Sequence, residues 1–261
     1  MANITEKDLL DAGVHYGHLT RKWNPRMAPF IYMEQNGIHI IDLKKTLSRL
    51  EEAKSAIKNI AKSGRRILFV ATKKQARDII CDAAKEVNMP YVTERWLGGM
   101  LTNFATVKKS IKKMSTIEKM ETDGTFENIA KKERLMLLRE KAKLERLLGG
   151  ISDLNRIPAA LFIVDIKREH IAVAEAQRLN IPTFGLVDTN SDPTLIDHPI
   201  PGNDDSAKAI DLITKEIMKA VIEGVSERRA QKEADKEERE KAKSKEESKE
   251  AAKAKEESSA S

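Results

Sequence analysis

Three short apolar runs, two of them followed by helical patterns, constrain the fold of this chain most. Arg66 to Ala71 (RILFVA) reads as a buried strand, and a helix from about Lys74 to Val87 follows it with Ala76, Ile79, Ile80 and Ala83 on one face. Ala159 to Val164 (AALFIV) is a second such strand with a helix from about Arg168 to Leu179 behind it, and Thr183 to Val187 is a third. Continuous apolar strands separated by helices imply an α/β fold, a parallel sheet covered by helices on both faces. Helices over about Leu43 to Ala61 and Ser206 to Glu223 supply further cover.

Between the first two strands lies a segment of different character. Over about 102–148 the chain is charged and helical, with Phe104, Val107, Ile111, Met114 and Ile117 three and four residues apart. Asp123-Gly124 marks a turn and Gly149-Gly150 a stop, so the pattern predicts two antiparallel helices, each roughly 30 Å long. Two core-covering helices are the alternative. Residues 101–150 hold 12 basic and 7 acidic side chains, a load that favours a hairpin inserted into the α/β domain of 1–225 and projecting from it. The segment 226–261 has no large apolar or aromatic residue beyond its start and is expected to be a disordered or transiently helical charged tail.

Charge is unevenly distributed. Residues 1–150 carry 29 Lys and Arg against 18 Asp and Glu, 151–226 carry 7 against 12, and 227–261 are balanced at 11 each. A basic front and an acidic back suit a protein held against a polyanion on one side. The single cysteine, Cys81, rules out an intramolecular disulfide and fits a reducing compartment. No apolar run reaches membrane-spanning length, and the start has no signal-peptide pattern. A soluble cytoplasmic protein that does not engage membranes is expected.

The cations cluster with aromatic residues. Arg21, Lys22 and Arg26 surround Trp23 in a loop-like stretch ending at Asn24-Pro25, and Arg95 adjoins Trp96 before Gly98-Gly99. Arginine and lysine neutralise phosphates, an exposed tryptophan offers a stacking face, and glycine permits close backbone approach. Lys108, Lys109, Lys112 and Lys113 fall along one helical stripe, a track for a phosphate backbone. These ten residues are the candidate RNA-binding set.

A nucleotide or sugar-phosphate enzyme is the alternative, because parallel sheets bind ligands at the carboxyl ends of their strands. Those ends carry Thr72 with Lys73 and Lys74, Asp165, and Asp188 with Asp192. The turn ATKKQ has no glycine, however, and neither a GxxxxGK[ST] loop nor a GxGxxG fingerprint occurs. His15 and His18, with His39, offer metal ligands without a supporting cysteine, and Cys81 has no neighbouring histidine to activate it. No catalytic step, cofactor, metal or small-molecule substrate is expected.

Five stretches resemble one family: LLDAGVHYGHLTRKWNPRM from Leu9, NGIHIIDLKKT from Asn36, ILFVATKKQA from Ile67, YVTERWLGGMLTN from Tyr91 and VDTNSDPTLIDHPIPGNDD from Val187. They are similar to bacterial small-subunit ribosomal protein S-two and follow family order across nearly all of 1–225. The resemblance implies a flavodoxin-like or Rossmann-like sheet with a protruding coiled-coil hairpin. It further implies contact with small-subunit ribosomal RNA and neighbouring ribosomal proteins, including retention of ribosomal protein S-one, which captures messenger RNA for initiation. The N-terminal basic stretch and the hairpin are where it places RNA contacts. Charge alone makes the acidic region 151–226 the expected protein-facing side, since RNA phosphates would repel it.

Overall fold

Side chains alternate across a strand, so a strand buried on both faces needs apolar residues at every position. Strands β4 (Ile67–Val70), β6 (Ala160–Val164) and β7 (Thr183–Val187) have all their residues buried, and all are apolar but Thr183, whose hydroxyl donates to Asp197 at 2.8 Å. The computed structural model describes residues 4–258; residues 259–261, the end of the charged tail, lie outside the described residues, as do the side chains of 127, 128 and 234–258. β5 (Tyr91–Val92) and β8 (His198–Pro201) complete a five-stranded parallel sheet of order β5-β4-β6-β7-β8. This is the flavodoxin-like order, in which the first strand of the series lies between the second and the third.

The two sheet faces own separate cores. Ile67 and Phe69, Phe162 and Val164, and Phe184 and Leu186 point to one side, where α2 (Leu43–Lys62), α3 (Lys74–Glu86) and α7 (Ala207–Ser258) cover them. Leu68, Val70, Leu161 and Ile163 point to the other, against α6 (His170–Arg178) and the loop around Trp96 to Leu101. Close packing of α2 on α7 depends on Gly224: a Cβ there would lie 2.5 Å from the Lys58 carbonyl oxygen. The α7 backbone runs on as helix to Ser258, through the segment whose composition offers no apolar face.

The inserted helices are α4 (Phe104–Thr122) and α5 (Lys131–Leu148), joined through a left-handed Gly124 and a 3-10 turn. The start of α4 and the end of α5 pack on the same core, so the two helices run antiparallel, and Lys113–Glu140 and Lys141–Glu121 pair across them. Phe104, Val107, Ile111, Leu144 and Leu147 rest on the second core at the base. Farther out Met114 and Ile117 are buried between the helices, while Leu135 and Met136 stand exposed.

The N-terminal region holds an element beyond the loop read from sequence. After α1 (Glu6–Asp11) comes a three-stranded antiparallel sheet, order β1-β3-β2, of β1 (Tyr16–Leu19), β2 (Ile31–Gln35) and β3 (Ile38–Ile41). β2 and β3 meet in a two-residue turn in which Asn36 and Gly37 both take positive φ, the geometry that matches strand twist in a tight hairpin. The basic loop Thr20 to Phe30 hangs between β1 and β2 as two 3-10 turns.

Candidate nucleic-acid interface

The carboxyl ends of the parallel strands are where an α/β sheet would take a ligand. Here the crevice is filled by the chain itself. Gly17 lies so close to Thr189 that a Cβ would sit 2.6 Å from its Cγ2. The His18 backbone N–H donates to Thr189 Oγ1 at 2.8 Å, Asn24 N–H donates to the Thr189 carbonyl at 2.8 Å, and Asn203 Nδ2 donates to the Gly13 carbonyl at 3.0 Å. The N-terminal sheet is thereby latched over the ends of β7 and β8.

A charged network lies under the latch. The Lys73 ammonium contacts Asp204 at 2.7 Å, Asp205 at 2.6 Å and Asp165 at 3.6 Å, while His18 bridges Asp188 at 3.0 Å and Asp205 at 3.4 Å. The hydrogen bond that the His18 ring donates to Asp188 holds it above its ordinary pKa against the effect of burial. Burial pushes the Asp204 carboxyl up to about 7, the neighbouring Asp188 and Asp165 push the same way, and Lys73 offsets them only in part. His18, Asp188 and Asp204 present ligand atoms within 4.8 Å of one another, the one such group among the described residues, and Asp204 Oδ2 is buried without a hydrogen-bond partner. Those three can hold a cation. His15 and His39 do not join them: His15 packs on Tyr16 and His39 on Trp23.

Beside this network Glu169 accepts from the Thr72 hydroxyl and from its N–H at 3.2 Å, and Arg168 Nε donates to the same hydroxyl at 2.8 Å. Lysine and carboxylates are therefore spent on one another at the positions where an enzyme would address substrate. Sequence reading found Thr72, Lys73, Asp165 and Asp188, but could not see His18, Asp204 and Asp205 arriving beside them from distant segments.

The candidate RNA-binding residues divide into two groups. Arg21, Lys22, Arg95, Lys108, Lys109 and Lys112 are exposed, and among the described residues none has an acidic partner within 4.0 Å. Trp23 is 38% exposed with its ring 5.0 Å from that of His39, so a face remains for stacking. Lys113 is exposed but paired with Glu140 across the hairpin. Arg26 is engaged with Asp192 and, at 3.0 Å, with Thr194 Oγ1; hydrogen bonds from Thr194 and Arg26 hold the Asp192 carboxyl below its ordinary value although burial would raise it. Arg26 ties the basic loop to the VDTNSDP segment.

Trp96 corrects the sequence reading. It is only 6% exposed, its indole N–H donates to Glu175 at 3.1 Å, and its ring packs in the second core, leaving no face for a base. Glu175 was invisible from sequence as a site residue. It accepts from the N–H groups of Gly99, Leu101 and Thr102 at 2.7–2.9 Å and from the Thr102 hydroxyl at 3.1 Å, immediately before α4 begins. The Trp-Leu-Gly-Gly loop is thus a socket for a carboxylate of the same chain, and it seats the hairpin.

A filled crevice beside exposed cations on a loop and on the inserted helices is an arrangement suited to binding a polyanion rather than to catalysis. The family model described as Ribosomal protein S2 matches residues 9–224. The chain belongs to the ribosomal protein S2 family. The "Small ribosomal subunit protein uS2" of Cytophaga hutchinsonii is 63% identical over 229 residues, covering 88% of this chain and 90% of that protein. That of Flavobacterium johnsoniae is 64% identical over 233 residues, 89% of this chain and 92% of its own length. That of Porphyromonas gingivalis is 59% identical over 232 residues, covering 89% and 83%. Membership makes this a structural protein of the small ribosomal subunit, a component of the cytoplasmic ribosome in bacteria, and not an enzyme. Among the described residues no helix is long and apolar enough to cross a membrane.

Proposed function

We propose that the chain holds small-subunit ribosomal RNA through Arg21, Lys22, Trp23 and Arg95 on the body and Lys108, Lys109 and Lys112 on α4. The observation that supports this reading is that these six cations are exposed without acidic partners among the described residues, as Lys7, Lys44 and Lys208 also are, and that they are grouped on the basic loop, the loop before α4 and α4 itself beside the exposed Trp23. Arg26 and Lys113 act as struts. The mechanism is positional: a rigid sheet carries the latched loop and the hairpin at fixed separation, and phosphates are matched by charge and shape without base-specific chemistry.

Neighbouring ribosomal proteins, ribosomal protein S-one among them, are received on surfaces that phosphate does not favour. The outer face of the N-terminal sheet supports this part of the reading, because Leu10, Tyr16, Tyr32 and Met33 stand exposed around a cavity of about 480 Å³. S-one docked there would be positioned to support initiation.

Reversing Lys108, Lys109 and Lys112 to glutamate tests the RNA contact while sparing the Lys113–Glu140 pair. On density gradients the variant should leave small subunits at lower salt than the parent chain, and the slope of log affinity against log salt should fall by about 1 per lost phosphate contact. An unchanged slope removes the hairpin from the interface.

A further inference from the structure

On the side of the molecule away from the hairpin, α3 and α7 enclose an open groove of about 550 Å³. Its floor is apolar: Ile79 and Ala83 come from α3, and Ile222, 44% exposed, comes from α7. One rim carries Asp78, Asp82 and Glu86, carboxylates four residues apart on a single face of α3.

That ladder is unusual in its lack of partners. Like charges at i and i+4 repel along a helix, and a chain rich in lysine ordinarily intersperses a cation. Most nearby cations are held by other groups: Lys73 by Asp204 and Asp205, Arg77 by Glu94, Lys85 over the Tyr91 ring, and Lys215 and Lys219, which line the groove on the α7 side, by Asp211 and Glu216; Lys74, one turn before Asp78, and Lys208 stand exposed. Among the described residues none lies within 4.0 Å of Asp78, Asp82 or Glu86. The groove also borders Thr214, 1% exposed, whose hydroxyl has no hydrogen-bond partner. An apolar trough, a row of free carboxylates and an unsatisfied hydroxyl lie in one place.

We propose that this groove docks a basic amphipathic helix of a neighbouring small-subunit protein. The inference rests on the ribosomal reading above and specifies the partner chemistry of the acidic side. Asp78 to Glu86 span about 12 Å along the axis, so the partner would lay lysine or arginine at successive turns along the rim and aliphatic side chains on the floor. Charge complementarity selects this occupant. Phosphates of RNA would face three carboxylates, and the chain's own segment 227–261 has balanced charge and no large apolar residue to fill the trough.

The full chain with a photo-crosslinking phenylalanine in place of Ile222 is to be assembled into small subunits and irradiated, and the crosslinked peptide sequenced. A lysine- or arginine-rich amphipathic segment of another ribosomal protein is the expected product. Crosslinks to rRNA, to a second copy, to residues 234–261, to an acidic or uncharged segment, or to nothing in chains that have entered subunits would overturn the docking proposal. Failure to enter subunits at all would instead count against the ribosomal reading. Adding Asp82→Lys separates docking from a structural role for the ladder. The ammonium it introduces would sit four residues from both Asp78 and Glu86, so thermal stability of the free chain should hold or rise, while the crosslink yield should drop about tenfold. Undiminished crosslinking in that variant would also overturn the proposal.

Discussion

Glu175 shows how much one side chain decides here. Five donors converge on its two oxygens, and three of them are N–H groups of the loop that starts the hairpin. Burial raises its pKa, yet the hydrogen bonds outweigh burial and hold the carboxyl below the ordinary 4.5. A group whose pKa is depressed by folding stabilises above its unfolded value, and that contribution is lost as pH falls through the folded one. Glu175→Ala should therefore cost about 3 kcal/mol at neutral pH, read from urea midpoints, because it strands buried donors. Glu175→Gln should be nearly as damaging, since its amide N–H group would face other donors. Both variants should also lose part of the parent's fall in stability below pH 4.5; a parent-like acid limb would show that the carboxylate is not what seats the loop.

The N-terminal sheet and the hairpin are held to the body in different ways. The sheet is latched by backbone approach at Gly17 and by hydrogen bonds to Thr189, so its placement depends on the absence of one side chain. Gly17→Val would force β1 off the ends of the parallel strands. Hydrogen exchange across 13–41 should accelerate and RNA affinity should fall, while amides of β4, β6 and β7 keep their protection. The hairpin is gripped at its base by Glu175 and the second core, and beyond it relies on a narrow apolar seam and exposed cross-pairs, which contribute little in water. Its two-helix form follows from the spacing of Phe104, Val107, Ile111, Met114 and Ile117. Its seat does not, because the carboxylate that binds the loop comes from α6, more than seventy residues later.

Across the protein, the fold and not chain order decides which charges share a surface. The exposed cations of the candidate RNA-binding set lie on the basic loop, the loop before α4 and α4, and the acidic ladder of α3 lines a groove elsewhere. Asp78, Asp82 and Glu86 nonetheless belong to the half of the chain that is basic in sequence. The tail divides in the same way. Glu227 bridges Lys58 at 2.8 Å and Lys62 at 3.2 Å, so the body makes use of the first turn past 226. Deleting 234–261 should leave both thermal stability and subunit incorporation close to those of the full chain, whereas deleting from 227 should lower stability measurably. Loss of incorporation in the shorter deletion would assign the charged segment a binding role.

Consecutive residues were enough to establish the parallel α/β body, the position of the inserted helices and the family, because continuous apolar strands, three-and-four spacing and long motifs are local properties. Asn36-Gly37 is a local signal too, and it marks the hairpin of the N-terminal sheet. It took the folded chain to make Trp96 a core residue and Arg26 a strut, and to bring His18, Lys73, Asp188, Asp204 and Asp205 into one filled crevice. Those outcomes depend on which distant residues share a low-dielectric space, and the free energy of a charge or an indole there is set by neighbours that no local pattern names.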